Sequence, residues 1–180
     1  MSLNGSTNEE KIWNYLKAKG LPDCGIAGLM GNLYAESCLI PTNLQNSYEK
    51  TLGFTDAAYT AAVDKGTYQN FVKDSAGYGL AQWTYWSRKK NLLDFAKKKG
   101  KSIGDLEMQL DFLWNELQGY KAVISTLKTA KTVRAASDSV LLNFERPADQ
   151  SDAAKARRAA FGQRYYDKYA AGSAAGSGGK

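Results

Sequence analysis

Glu36 is the residue of this sequence best suited to acid chemistry. It is the only charged residue between Asp23 and Glu49, and it follows an apolar run in which Ile26 and Met30 recur at helical spacing. Burial disfavours the ionised form of a carboxyl group, so a glutamate on an apolar helix can have a pKa raised towards the range useful for proton donation. A glutamate here could instead mark the point where the helix meets solvent. The residues themselves leave both interpretations open.

The absence of histidine excludes several other kinds of active site. Ser-His-Asp triads, Cys-His nucleophiles and His-ligated zinc sites all need an imidazole. Cys24 and Cys38 stand at opposite ends of the predicted helix, about 21 Å apart along its axis, which is far beyond the roughly 7 Å limit for bridged Cα atoms. The chain also has no cluster of metal ligands and no phosphate-binding glycine loop. We therefore expect carboxylate chemistry without a metal or cofactor.

A second segment, G-Y-G-L-A-Q-W, has the residue types that bind sugars. Gly77 and Gly79 flank Tyr78 and predict a tight or extended turn, and Gln82 and Trp83 follow. Aromatic rings can stack on sugar rings and an amide can hydrogen-bond to hydroxyl groups, so the segment could form a sugar-binding surface. The same rings could instead belong to the hydrophobic core. Two more aromatic residues, Tyr85 and Trp86, follow after Thr84.

The elements that position these residues are mostly helices. Thr7 with Glu10 matches a capping box, Thr55 and Thr132 are further candidate N-caps, and residues 38–51 look like a polar loop. Gly25 and Gly28 lie within the apolar helix, where small residues allow another backbone to approach closely. We predict a mostly α fold of about seven helices, with at most a small β-hairpin or extended turn near the cleft that the sugar-binding segment would line.

The chain length suits one domain. We expect a disordered start at residues 1–6, a domain at residues 7–169, and a Gly/Ser/Ala-rich linker or tail at residues 170–180. A further domain could follow this tail. We find no apolar run of about 18 residues and no signal-peptide pattern.

The net charge of +6 indicates attraction to anionic partners. Nucleic acid, anionic lipid and an anionic wall polymer would all qualify. Lysine and arginine are dispersed and no nucleic-acid recognition motif is present, so we expect neither a nucleic-acid nor a membrane partner. We expect a monomer.

Three motifs occur in a characteristic order: A-E-S followed by Pro41, then G-Y-G-L-A-Q-W, then L-L-N-F-E-R-P. Over about residues 7–169 the chain thereby resembles the lysozyme-like superfamily, most closely the phage tail lysozymes and endolysins. The resemblance implies a lysozyme-like fold with Glu36 as the catalytic acid. It also implies that residues 79–82 line the glycan cleft, that Tyr78 and Trp83 lie beside the sugar, and that residues 143–147 close the fold. Glu145 in this last segment is a further candidate for substrate binding.

The second catalytic group is less clearly marked. Many lysozymes carry an aspartate about nine or more residues beyond the glutamate, but here Gln45 and Asn46 stand at that distance and cannot ionise. Asp74, just ahead of the G-Y-G turn, is our preferred second carboxylate. A water held by Gln45 or Asn46, or the N-acetyl group of the substrate, would be the alternatives.

The resemblance implies a peptidoglycan hydrolase that cleaves β-1,4 glycosidic bonds of glycan strands, of the muramidase type. The expected protein is encoded by a phage or prophage, is made in the host cytoplasm and acts on a Gram-positive cell wall. A wall-binding domain could follow its tail. A lytic transglycosylase or glucosaminidase acting on the same substrate is one alternative. A non-catalytic wall-binding or tail module is the other.

Overall fold

The computed structural model describes residues 3–170, which contain nine α-helices and one π-helical turn. Strands are absent from this range, where β pairing is limited to isolated antiparallel bridges of Tyr78 with Leu44 and with Trp83. No helix in this range has the length and apolarity to cross a bilayer. The predicted mostly α fold with a small extended turn is confirmed, although nine helices exceed the expected seven. The helices are α1 Asn8–Ala18, α2 Asp23–Ser37, α3 Asn46–Leu52, α4 Asp56–Lys65, α5 Trp86–Lys99, α6 Leu106–Gly119, α7 Lys121–Thr129, α8 Val133–Val140 and α9 Asp152–Tyr169, with the π-helical turn Leu141–Glu145 after α8.

Local sequence sets the helix ends, as the capping signals predict. Thr7 accepts a hydrogen bond from the Glu10 amide, at 3.2 Å, and this satisfies one of the unpaired amides in the first turn of α1. Thr55 and Thr132 cap α4 and α8 in the same way. The expected start at residues 1–6 and tail at 170–180 fall partly outside the described residues.

Helix α3 corrects the expectation of a polar loop at residues 38–51. Its seven residues include none that is buried, so there is no hydrophobic period to reveal it. Gln45 at its N-cap makes no capping hydrogen bond through its side chain, so that signal is missing too. Gly53 ends the helix with a φ of 75°, a left-handed conformation that glycine adopts without strain.

The described residues divide into two compact units, and the first comprises residues 3–35 and 116–170. Its core depends on close approach to glycines of α2. Gly25, Gly28 and Gly31 contact α7, α8 and α9 respectively. A Cβ atom added at any of these glycines would lie only 2.0–2.5 Å from an atom of the facing helix. A buried amide adds polar links, because Asn32 donates to the Ser137 carbonyl, at 3.1 Å, and accepts from Arg158, at 3.2 Å.

We expect Gly25→Ala to destabilise the protein. The new Cβ would lie 2.0 Å from the carbonyl oxygen of Leu127 in α7, so the helices would have to separate. Overpacking of this kind costs about 1–3 kcal/mol, which exceeds the gain of up to about 1 kcal/mol that alanine brings to a helix. Urea unfolding of both proteins would measure the difference.

Gly119→Ala is the matched control, because nothing lies within 4 Å of the Cβ position at the end of α6. We expect it to leave the free energy of unfolding unchanged or slightly raised. Equal effects of the two substitutions would refute the close-approach explanation.

The second unit comprises residues 36–115. Its core is rich in aromatic rings, and Tyr59 contacts both Phe71 and Tyr78, with ring centroids 6.0 and 5.5 Å apart. This unit holds Glu36 and most of the other candidate site residues.

Candidate active site

Glu36 lies in the last turn of α2 and is half-buried. The next residue fixes its position, because the hydroxyl group of buried Ser37 donates to the Leu80 carbonyl, at 2.8 Å. The helix end that carries Glu36 is therefore attached directly to the glycine-rich segment, as the predicted site requires.

The chain leaves α2 through an unusual turn. Cys38 and Leu39 both have left-handed backbones, with φ values of 55° and 62°. Such a conformation costs a non-glycine residue about 1 kcal/mol or more, so surrounding contacts must hold it. One of them is the Asn43 amide, which donates to the Ser37 carbonyl at 3.0 Å. Both cysteines are free thiols, and Cys38 is exposed.

Three short stretches, residues 43–45, 77–80 and 82–83, form what we call the platform. Gln45 donates its backbone amide to the Gly77 carbonyl at 2.8 Å and accepts from the Gly77 amide, at 3.0 Å, through its side chain. Tyr78 and Trp83 exchange two backbone hydrogen bonds of 3.0 Å. The Gln82 side chain donates to the carbonyl oxygen of Asn43 at 2.8 Å. This is the extended turn that the sequence predicts.

The two glycines of the platform are needed for different reasons. Gly79 has a φ of 83°, in the left-handed region. A Cβ atom on Gly77 would lie 2.8 Å from the side-chain oxygen of Gln82 and 3.2 Å from that of Gln45. One glycine therefore permits the turn, and the other leaves space for the amides that hold it.

The structure corrects the expectation that Tyr78 and Trp83 offer their rings to a sugar. Both side chains are completely buried, and the hydroxyl groups of Tyr78 and Thr60 share a hydrogen bond of 2.6 Å. Rings without solvent contact belong to the core of this unit. The next two aromatic residues along the chain, Tyr85 and Trp86, are exposed instead.

The predicted amide residues are used mainly to build the platform. Gln45 donates its side-chain amide to the Ser47 hydroxyl, at 2.9 Å, in addition to its bond with Gly77. Gln82 donates to two carbonyl groups and has a left-handed backbone with a φ of 50°. Asn46 lies beside them as the exposed first residue of α3.

Asp74 lies in the same unit, but its carboxylate is inside the protein. The side chain is 1% exposed, and its Oδ1 atom accepts from the Lys89 ammonium group, at 2.6 Å, and from the Ala76 amide, at 2.9 Å. Its Oδ2 atom accepts from the Tyr59 and Tyr68 hydroxyl groups, at 2.6 and 2.9 Å. Four donors thus surround the carboxylate that we expected to be the second catalytic group.

Lys89 is the partner of this carboxylate, and its side chain is fully buried. Burial lowers its pKa, and the hydrogen bond and charge of Asp74 oppose that change. Burial, reinforced by the hydrogen bond to Asp74, raises the pKa of Tyr68 to about 12. The tyrosine hydroxyl groups therefore remain protonated donors at ordinary pH.

A comparison with known protein families matches residues 7–169 to the phage tail lysozymes. The chain belongs to the phage tail lysozyme family. This confirms the resemblance carried by the three ordered motifs, and it agrees with the helical fold. Family membership supports a role as a lysozyme-like, peptidoglycan-degrading enzyme of the glycoside hydrolase type.

Glu145 of this phage tail lysozyme lies in the first unit. It is the half-buried last residue of the π-helical turn, and Arg146 follows with a left-handed φ of 48°. Phe144 anchors the turn against Tyr120, with ring centroids 5.0 Å apart. The motif L-L-N-F-E-R-P thus ends its helix before the proline, as predicted.

Sequence reasoning missed two buried polar residues that support the candidate site. Gln109 accepts from the Leu80 amide at 3.0 Å and donates to the Pro41 carbonyl at 2.7 Å, and Lys89 holds Asp74. Helical spacing could have indicated both. Lys89 shares a buried face with Leu92 three residues later, and Gln109 precedes Leu113 by four.

Metal-ligand clusters of three or more suitable residues are absent from residues 3–170.

Proposed function

We propose that this phage tail lysozyme is an N-acetylmuramidase, which hydrolyses the β-1,4 bonds of peptidoglycan with Glu36 as the general acid. The observation that carries the proposal is the position of Glu36, half-buried at the end of α2 and tied through Ser37 to the platform. Cleavage needs a protonated carboxyl group against the leaving oxygen while positive charge develops on the sugar ring. Glu36 is the carboxyl group that we propose for the first of these roles.

The second requirement is a group that stabilises this charge or activates a water. The four hydrogen bonds and the burial of Asp74 support a structural role for that carboxylate. They favour a water held by an amide, such as that of exposed Asn46, or assistance by the acetamido group of the substrate. Asp74 as second carboxylate stays a prediction, and a test of it is given in the Discussion.

The proposed setting of the reaction is the bacterial cell wall. The enzyme would be made in the host cytoplasm and act as a monomer on peptidoglycan glycan strands. The net charge of +6 supports attraction to anionic wall polymers.

The nature of the new chain ends tests the proposed reaction. Purified peptidoglycan is digested, the soluble fragments are reduced with borodeuteride, and the labelled sugar is identified by mass spectrometry. We expect labelled muramitol, because hydrolysis by a muramidase leaves a reducing muramic end.

Other products would identify the alternatives. Labelled glucosaminitol would indicate a glucosaminidase, and anhydro ends that resist reduction would indicate a lytic transglycosylase. Binding to the wall without release of fragments would indicate a non-catalytic module, and each of these results would overturn the proposal.

A further inference from the structure

Tyr85 and Trp86 expose their rings beside each other at the start of α5. Their side chains are 63% and 54% exposed, and the ring centroids are 6.1 Å apart. Aromatic rings that remain in water leave apolar area exposed, which is unfavourable. An adjoining pair of such rings is therefore a candidate surface for binding a ligand or another molecule.

The two rings border a groove of about 610 Å³. This volume lies within the range of about 300–1,000 Å³ typical of ligand sites. The groove combines apolar ring faces with three hydroxyl groups and one ammonium group, and the Lys73 side chain supplies the charge. Its lining residues are Val72, Lys73, Ser75, Thr84, Tyr85 and Trp86.

The buried ion pair described above fixes both walls of the groove. Asp74 binds Lys89 inside the protein, whereas its neighbours Lys73 and Ser75 are exposed and line the groove. Lys89 belongs to the first turn of α5 and donates its backbone amide to the Tyr85 carbonyl, at 3.0 Å. The wall at residues 72–75 contains Asp74, and the wall at residues 84–86 is bonded to Lys89. The buried ion pair between Asp74 and Lys89 thus joins the two walls.

The groove is also joined to the platform. The hydroxyl group of Thr84 donates to the Gln82 carbonyl at 2.8 Å, so the segment that lines the groove continues directly from the segment attached to Glu36 through Ser37. A ligand held by Trp86 would therefore lie against the same chain segment as the proposed cleavage site.

We propose that this groove is an additional peptidoglycan subsite, in which a sugar ring stacks on Trp86 and Tyr85. The inference rests on the proposed function, because its ligand is the same glycan strand. Sugar rings present apolar C–H faces to aromatic rings and hydroxyl groups at their edges, which suits the Ser75 and Thr84 hydroxyls. Muramic acid carries a lactyl group and a peptide with carboxylates, and Lys73 offers the complementary charge.

Binding measurements in a Glu36→Gln background test the subsite without cleavage. Co-sedimentation with purified peptidoglycan, stripped of protein and anionic wall polymers, gives the dissociation constant. We expect Trp86→Ala to weaken binding at least tenfold and Trp86→Phe to restore most of it, because phenylalanine keeps a ring for stacking. Tyr15→Ala, which removes a half-buried tyrosine from α1, is the control and should bind as the parent does.

Kinetics with Glu36 intact provide a second measurement. We expect Trp86→Ala to raise KM for polymeric peptidoglycan about tenfold while kcat changes less than twofold, because the ring acts in binding and not in bond cleavage. Equal binding by Trp86→Ala and its parent, with normal lysis by the wild type, would refute the subsite and leave the proposed function standing. Failure of the wild type to release fragments would instead refute the proposed function.

An exposed aromatic pair beside a lysine could instead contact an anionic lipid surface. Vesicles of phosphatidylglycerol and phosphatidylcholine test this alternative. We expect no binding to these vesicles that depends on Trp86. Loss of vesicle binding in Trp86→Ala, with glycan binding unchanged, would overturn the subsite in favour of a lipid surface.

Discussion

Glu36→Gln should abolish release of peptidoglycan fragments while leaving the protein folded. Glutamine has nearly the same shape as glutamic acid, but its amide cannot supply a proton to the leaving oxygen. Loss of a positioned general acid costs about 10²–10⁴-fold in rate. The clearance of a turbid peptidoglycan suspension measures the loss of activity. Thermal unfolding measures whether the variant is folded, and co-sedimentation measures whether it binds peptidoglycan. We expect both folding and binding to remain.

Glu107→Gln is the matched control for this substitution. Glu107 is also half-buried, on a helix of the same unit, in the first turn of α6. We expect its lytic rate to match the wild type. Undiminished lysis by Glu36→Gln would remove Glu36 from the mechanism.

Lys89→Met should destabilise the protein more than any exposed charge substitution. Removal of the ammonium group would leave the Asp74 carboxyl group, whose side chain is 1% exposed, without its buried charge partner. Breaking a buried ion pair from one side costs about 3–5 kcal/mol. Urea unfolding would measure this loss. The control is Lys90→Met, because the Lys90–Asp94 pair is exposed and pairs of that kind contribute at most about 1 kcal/mol.

A double variant separates the structural role of Asp74 from a catalytic one. Lys89→Met with Asp74→Asn removes both charges together, so we expect it to unfold less readily than Lys89→Met alone. If Asp74 is structural, the double variant keeps its lytic rate per folded molecule, and this is the result we expect. A loss of several orders of magnitude in folded protein would establish Asp74 as the second carboxylate.

Sequence reasoning succeeded where the signal was local. The helix that presents Glu36, the capping threonines and the glycine turn at residues 77–79 each follow from neighbouring residues, and the structure has all of them. The close approach at Gly25 and Gly28 was also predictable, because a row of small residues on an apolar helix has few other uses.

Prediction from the sequence failed where the burial of a side chain depends on distant parts of the chain. Four aromatic residues follow one another closely between Tyr78 and Trp86, and composition cannot say that the first two enter the core while the last two remain in solvent. Thr60 and Phe112, which receive Tyr78 and Trp83, come from other helices.

The hydrogen bonds that join the three stretches of the platform carry no ionisable group. They run between backbone groups and the neutral side-chain amides of Gln45 and Gln82. Asn43 and Gln109, which attach these stretches to their surroundings, are neutral as well, whereas the Asp56 carboxylate accepts from the Leu44 amide at 2.9 Å. With no histidine in the chain, the bonds that join the three stretches would keep the same charge and the same donors during the proton transfer that we propose for Glu36. The platform itself would thus contribute no change of charge to that step.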